Sequence, residues 1–140
     1  MNKKGFTLTE LLAVVAIIGI LSLVAIPNII GIIDGIRKDN MKDDAKKLIS
    51  LAKMEVNSSY EIRQTGYKKF TFDELNKNKD IKKDPDDGTY SNASYVEYKK
   101  VDNTETYCIY LEGSKRKIGT SDSCVNENDL YDKDVVSGNE

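Results

Sequence analysis

Hydrophobic and polar positions divide the chain into a greasy run followed by an amphipathic one. Between Glu10 and Asp34 lie 23 residues without a formal charge, LLAVVAIIGILSLVAIPNIIGII, of which 18 are strictly apolar. As an α-helix this run rises about 34 Å at ~1.5 Å per residue, enough for a hydrocarbon core of ~30 Å. Beyond Asp34 the period stays helical but narrows to one face: Met41, Ala45, Leu48, Ala52 and Val56 recur three or four residues apart. Lys42, Asp43, Asp44, Lys46 and Lys47 fill the opposite, solvated face. The spacing predicts one helix from about Phe6 to Val56, ended by Asn57-Ser58-Ser59, with Pro27 and the glycines at 19, 31 and 35 as places where it bends.

The remaining chain reads as a small head on the amphipathic half. Residues 60–92 are expected to form a connector with one short helix, started by a capping box at Thr71-Phe72-Asp73-Glu74 and carrying Leu75 and Ile81 on an apolar side. Asp84-Pro85-Asp86-Asp87-Gly88 closes the connector with a turn. Residues 93–101 alternate, with Val96 and Tyr98 on one face and Tyr95 and Val101 on the other. Residues 106–112 oppose Tyr107, Ile109 and Leu111 to Cys108 and Tyr110, apolar on both sides as in a central strand. Asp102-Asn103 joins the two as a hairpin, and residues 116–120 add a short third strand. The tail from Asp122 is polar, with Leu130, Tyr131, Val135 and Val136 as docking points. The fold class is therefore α+β: a long amino-terminal helix packed through its second half on a small antiparallel sheet.

Composition narrows the chemistry. The 140 residues include 21 Lys+Arg, 23 Asp+Glu and no His, for a net charge of −2. Without histidine there is no His-based triad, proton relay or His-ligated metal. No Gly-rich phosphate loop or nucleophile elbow occurs, so no catalytic residue, metal ligand or cofactor is assigned and an enzyme is not expected. The three carboxylates of Asp84, Asp86 and Asp87 suggest calcium by type, but their spacing does not match an EF-hand and a solvated turn is expected instead. Basic pairs at Lys68-Lys69, Lys82-Lys83 and Lys99-Lys100, and the triplet Lys115-Arg116-Lys117, are interspersed with acidic residues. That mixture disfavours nucleic acid as a partner. Tyr95, Tyr98, Tyr107 and Tyr110 are expected to cover the sheet.

Three readings compete for residues 1–33. A cleaved secretory signal has an apolar region of ~7–15 residues and a small-residue cleavage site, and here the run is longer and Ala25-Ile26-Pro27 fits such a site poorly. A plain signal anchor would keep Lys3 and Lys4 in the cytoplasm. It would have no use for Glu10, whose charge within the membrane costs ~2.5–3.5 kcal/mol. Nor would it need Pro27, which breaks a lipid-embedded helix unless neighbouring helices compensate. Both residues favour a helix that packs against others.

Met1-Asn2-Lys3-Lys4-Gly5, then Phe6-Thr7-Leu8-Thr9-Glu10 and an apolar run reaching Pro27, resembles the amino terminus of a type IV prepilin. The match covers residues 1–30. The resemblance implies cleavage between Gly5 and Phe6 by a prepilin peptidase and N-methylation of the new Phe6 terminus. It assigns assembly roles to Glu10 and Pro27, with the Glu10 carboxylate pairing with the Phe6 ammonium of a neighbouring subunit. The implied organisation is a leader at 1–5, a transmembrane or fibre-core helix at 6–33, its amphipathic half at 34–59 and a globular head at 60–140. The implied partners are further copies in a helical filament, the peptidase, a membrane platform with cytoplasmic ATPases, and the membrane before assembly. The implied location is a single-pass membrane protein that later becomes an extracellular pilus. A pseudopilin of a secretion or DNA-uptake machine uses the same helix, and a signal-anchored surface binding domain is the alternative of another class. In an exported head, Cys108 and Cys124 are read as a structural disulfide. A metal pair or redox couple is the weaker reading, since there is no His and no C-x-x-C.

Overall fold

The computed structural model describes residues 5–138, apart from the side chains at positions 25, 27 and 28. The leader residues 1–4 lie outside the described residues. Helix α1 spans Leu8–Ser58, followed by α2 (Tyr60–Thr65), β1 (Tyr67–Thr71), α3 (Phe72–Leu75), β2 (Tyr95–Val101) and β3 (Thr104–Glu112). Then come β4 (Arg116–Ile118), β5 (Val125–Asn126), a 3₁₀ turn (Glu127–Asp129) and β6 (Val136–Gly138). The chain divides into two compact units, Met1–Ile36 and Arg37–Glu140.

In the first unit the described residues of the apolar run are exposed. From Leu8 to Ile33 the exposure of its large apolar side chains ranges from 41% at Ile33 to 83% at Leu8, with residues on all sides of the helix among them. Helical backbone continues through the run, yet its axis breaks between Val24 and Ile29, where Pro27 cannot donate a hydrogen bond to the preceding turn. No single helix among the described residues is long and apolar enough to cross a membrane; the bent pair Leu8–Val24 and Ile29–Ser58 meets that requirement together, by length and composition. The bend falls at Pro27, one of the positions where the sequence places it.

The second unit is built on the amphipathic half of α1. Met41, Ala45, Leu48, Ala52 and Val56 are all buried, joined by Ile49. They share one core with Phe70, Val96, Tyr98, Ile109, Leu111 and Ile118. The sheet runs β1-β2-β3-β4-β6, antiparallel throughout, with β5 also pairing with β3. Strand register sets Phe70 opposite Val96 and Val96 opposite Ile109, so one face carries the core and the other carries Tyr95, Cys108 and Tyr110. Asp102 and Asn103 both take positive φ (50° and 63°), the backbone of a two-residue hairpin whose twist suits the flanking strands.

Three expectations are corrected. Tyr67–Thr71 is a strand, not connector. Its two lysines mask the alternation, and lysine is a residue by which edge strands resist pairing with other chains. The tail docks through Leu130 and Val136, but Tyr131 is 75% exposed, with the Lys46 ammonium 4.2 Å from its ring centre. The turn at Asp84 is not solvated. Asp84 is 5% exposed and accepts N–H bonds from Asp86 and Gly88, each at 2.8 Å, and from Ser114. The Asp86 carboxylate is buried between Arg37 (3.2 Å) and Arg116 (3.0 Å). Carboxylates already bound to guanidinium and amide donors have the wrong surroundings for a cation.

Candidate functional site

Gly5, Phe6 and Thr7 precede α1 as exposed, non-helical backbone. The bond between Gly5 and Phe6 therefore lies in open chain, where a peptidase can approach it. Phe6 is 84% exposed, a large apolar side chain with no cover of its own.

Thr7 starts the helix. Its backbone N–H donates to Glu10 Oε2 at 3.1 Å, while Glu10 N–H donates to Thr7 Oγ1 at 3.2 Å. The first helical bond runs from Leu11 N–H to the Thr7 carbonyl at 3.1 Å. This reciprocal pair is a capping box, satisfying two backbone donors that a helix start leaves open. It places a carboxylate in the first turn, where the helix dipole favours negative charge. One Glu10 oxygen accepts the Thr7 N–H. The sequence signal was present as Thr7-Leu8-Thr9-Glu10, the same spacing that identified Thr71 and Glu74.

The other singled-out residues lie apart from this motif. Pro27 falls in the break of the helix axis, and its side chain is outside the described residues. Cys108 in β3 and Cys124 just before β5 are joined by a disulfide, with their Cα atoms 5.4 Å apart. Glu97, Cys108 and Cys124 are close enough to hold a metal ion, but the disulfide removes the thiolates that would bind one. Tyr98 and Tyr107 are buried in the core, and on the outer face the rings of Tyr95 and the buried Tyr110 meet at a tilt of 56°, 5.7 Å between centres.

Burial shapes the titration of the second unit. Burial raises the Asp44 carboxyl above its usual range, only partly opposed by the 2.6 Å hydrogen bond that Tyr90 Oη donates to it. Tyr90 is itself raised, by burial first and then by Asp44. Burial also pushes Asp84 upward, but bonds from Ser114 and from the Gly88 and Asp86 amides overcome it, and the net shift is downward. Tyr107 is pushed up to about 12 by burial, and Tyr110 to about 12 by its hydrogen bond to Glu112.

Residues 1–26 match the family described as the prokaryotic N-terminal methylation motif, the class III signal of type IV pilins and pseudopilins. The motif supports a protein of the type IV pilin or pseudopilin kind, a prepilin-peptidase substrate that assembles into filaments, and it is consistent with a membrane-anchored precursor. A long amino-terminal helix followed by an antiparallel sheet agrees with the type IV pilin fold. Comparisons with curated proteins and with solved structures find no match.

Proposed function

We propose that the chain is a structural subunit of a type IV pilus, held in the membrane until processed and then packed through α1 into an extracellular fibre. One observation carries this reading: the apolar length from Leu11 to Ile33 is exposed in the single chain and is headed by a carboxylate poised at the helix start. Apolar surface on this scale is unstable in water and marks a site of contact with lipid or protein. In lipid alone the Glu10 charge is a cost; in a fibre it meets the ammonium of a processed Phe6 from the next copy. The pair's main effect is register, because removing one partner of a buried ion pair costs about 3–5 kcal/mol. The role is structural rather than catalytic, and a membrane platform with cytoplasmic ATPases drives assembly.

Mass spectrometry of the native amino-terminal peptide, run separately on membrane and sheared surface fractions, tests this. The expected result is a peptide beginning at N-methylated Phe6 in sheared material. The same peptide confined to membranes would transfer the chain to the pseudopilins. An intact Met1–Gly5 leader in every fraction would refute processing and leave an anchored surface domain.

A further inference from the structure

Between α3 and the turn leading to β2 is a half-open cavity of about 510 Å³. Phe72, Ile81 and Tyr90 form its floor, each less than 10% exposed. The Phe72 and Tyr90 rings sit 5.6 Å apart at a tilt of 53°. Three lysines, Lys77, Lys79 and Lys82, stand on the rim, and none has an ion-pair partner among the described residues. Asp73 and Thr89 bring a carboxylate and a hydroxyl to the same cavity.

The cavity is held in shape. Asn76 clamps the loop it begins, donating from Nδ2 to the Ile81 carbonyl at 2.9 Å and accepting the Ile81 N–H at 3.1 Å. The loop between them closes with Lys79 at φ 53° and its N–H on the Asn76 carbonyl. The Thr71–Glu74 capping box secures α3, and the Asp44 bond secures the Tyr90 ring. The backbone that carries these lysines is thus fixed before any ligand arrives, which lowers the ordering cost of binding.

We propose that this cavity binds an acidic saccharide, a sugar residue bearing a carboxylate. The three features match three parts of such a ligand: ammonium groups for the carboxylate, Asp73 and Thr89 for ring hydroxyls, and ring edges with Ile81 for the apolar C–H face. A nucleic-acid strand fits less well. It requires cations that track a backbone beyond one pocket, whereas the chain leaving this one passes Asp80, Asp84, Asp86 and Asp87. An extended acidic peptide uses a sheet edge or an open groove, and here the clamped loop closes one side. This assignment stands independently of filament formation.

The test uses the full chain in an uncharged detergent, followed by backbone amide NMR during titration with digalacturonate, 3′-sialyllactose, neutral lactose and tetraglutamate. Saturable shifts confined to residues 72–82 and 89–90 are expected with at least one of the two acidic sugars. Lactose should bind about tenfold or more weaker, the loss expected when a charge-assisted contact is missing. Tetraglutamate, which keeps carboxylates but has no sugar ring for Asp73, Thr89 and the apolar floor, should also bind more weakly. The double substitution Lys79→Ala/Lys82→Ala, at exposed positions, should keep the native spectrum and weaken the sugar about tenfold. Asn76→Ala, which frees the rim but keeps the lysines, should weaken it as well. Tetraglutamate binding as well as the sugars would overturn the assignment in favour of an acidic peptide. Absence of shifts with both acidic sugars up to about 10 mM, far weaker than a 1 mM site, would overturn it outright, as would unchanged affinity in the lysine variant.

Discussion

Thr7 and Glu10 share one local geometry, and their substitutions separate its two consequences. Thr7→Val removes the hydroxyl that accepts the Glu10 N–H but leaves the carboxylate, so the helix start should weaken by about 1 kcal/mol, the usual value of a cap. Filament yield should fall only modestly. Glu10→Ala removes the charge and the carboxylate that accepts the Thr7 N–H, while the backbone N–H of residue 10 keeps its bond to Thr7 Oγ1. It should leave membrane insertion intact and abolish incorporation into sheared filaments, measured by immunoblot of membrane and sheared fractions; normal incorporation would refute the pairing with Phe6. In the second unit, Asp84 contributes stability through a depressed carboxyl pKa. The contribution is fully present above the unfolded value near 3.8 and is lost as pH falls through the folded one. Asp84→Asn should therefore flatten the decline in stability below about pH 4. It should also cost about 1–3 kcal/mol at neutral pH, because an amide N–H₂ would face one of the backbone donors. Chemical denaturation of the full chain in detergent across pH 2–7 measures both.

At the scale of elements, the sheet relies on covalent and ionic ties where its strands are short. β5 has two residues and β6 three. The Cys108–Cys124 link holds β5 to the centre of β3, and Lys53 reaches from α1 to Glu127 at 2.8 Å. Cys108→Ser/Cys124→Ser should cost about 3 kcal/mol by loss of loop-closure restraint. Amide hydrogen exchange should rise most over residues 122–138, with α1 and β2 protected as before. Asp86 joins α1 to β4 through Arg37 and Arg116. Asp86→Ala should destabilise by about 3 kcal/mol, at the low end for breaking a buried pair because Arg37 is partly exposed. A thermal midpoint within a degree of the native one would show that the turn is not a tie.

At the scale of the molecule, most of the architecture was legible because two periods dominate the chain. The uncharged run, the amphipathic spacing of Met41 to Val56 and the doubly apolar Tyr107–Leu111 each describe a burial pattern, and burial is what tertiary structure satisfies. The amino-terminal motif was equally legible, since Gly5, Phe6 and Glu10 lie within a few residues of one another along the chain. β1 was not, because an edge strand with two lysines has no alternation to read. The Asp84 turn was misread as solvated: nothing adjacent to it reveals that Ser114 and Arg116, thirty residues on, supply its donors.

The sequence by itself determined that this chain has an apolar helix headed by Glu10, a processing motif before it and an α+β head after it. Those properties follow from side-chain type and spacing along one backbone. Only the tertiary structure decided that Asp86 is buried between two arginines and that three lysines line the cavity over the Phe72–Tyr90 floor. Each of these depends on direction and distance between side chains, and a hydrogen bond or ion pair exists only where both are met.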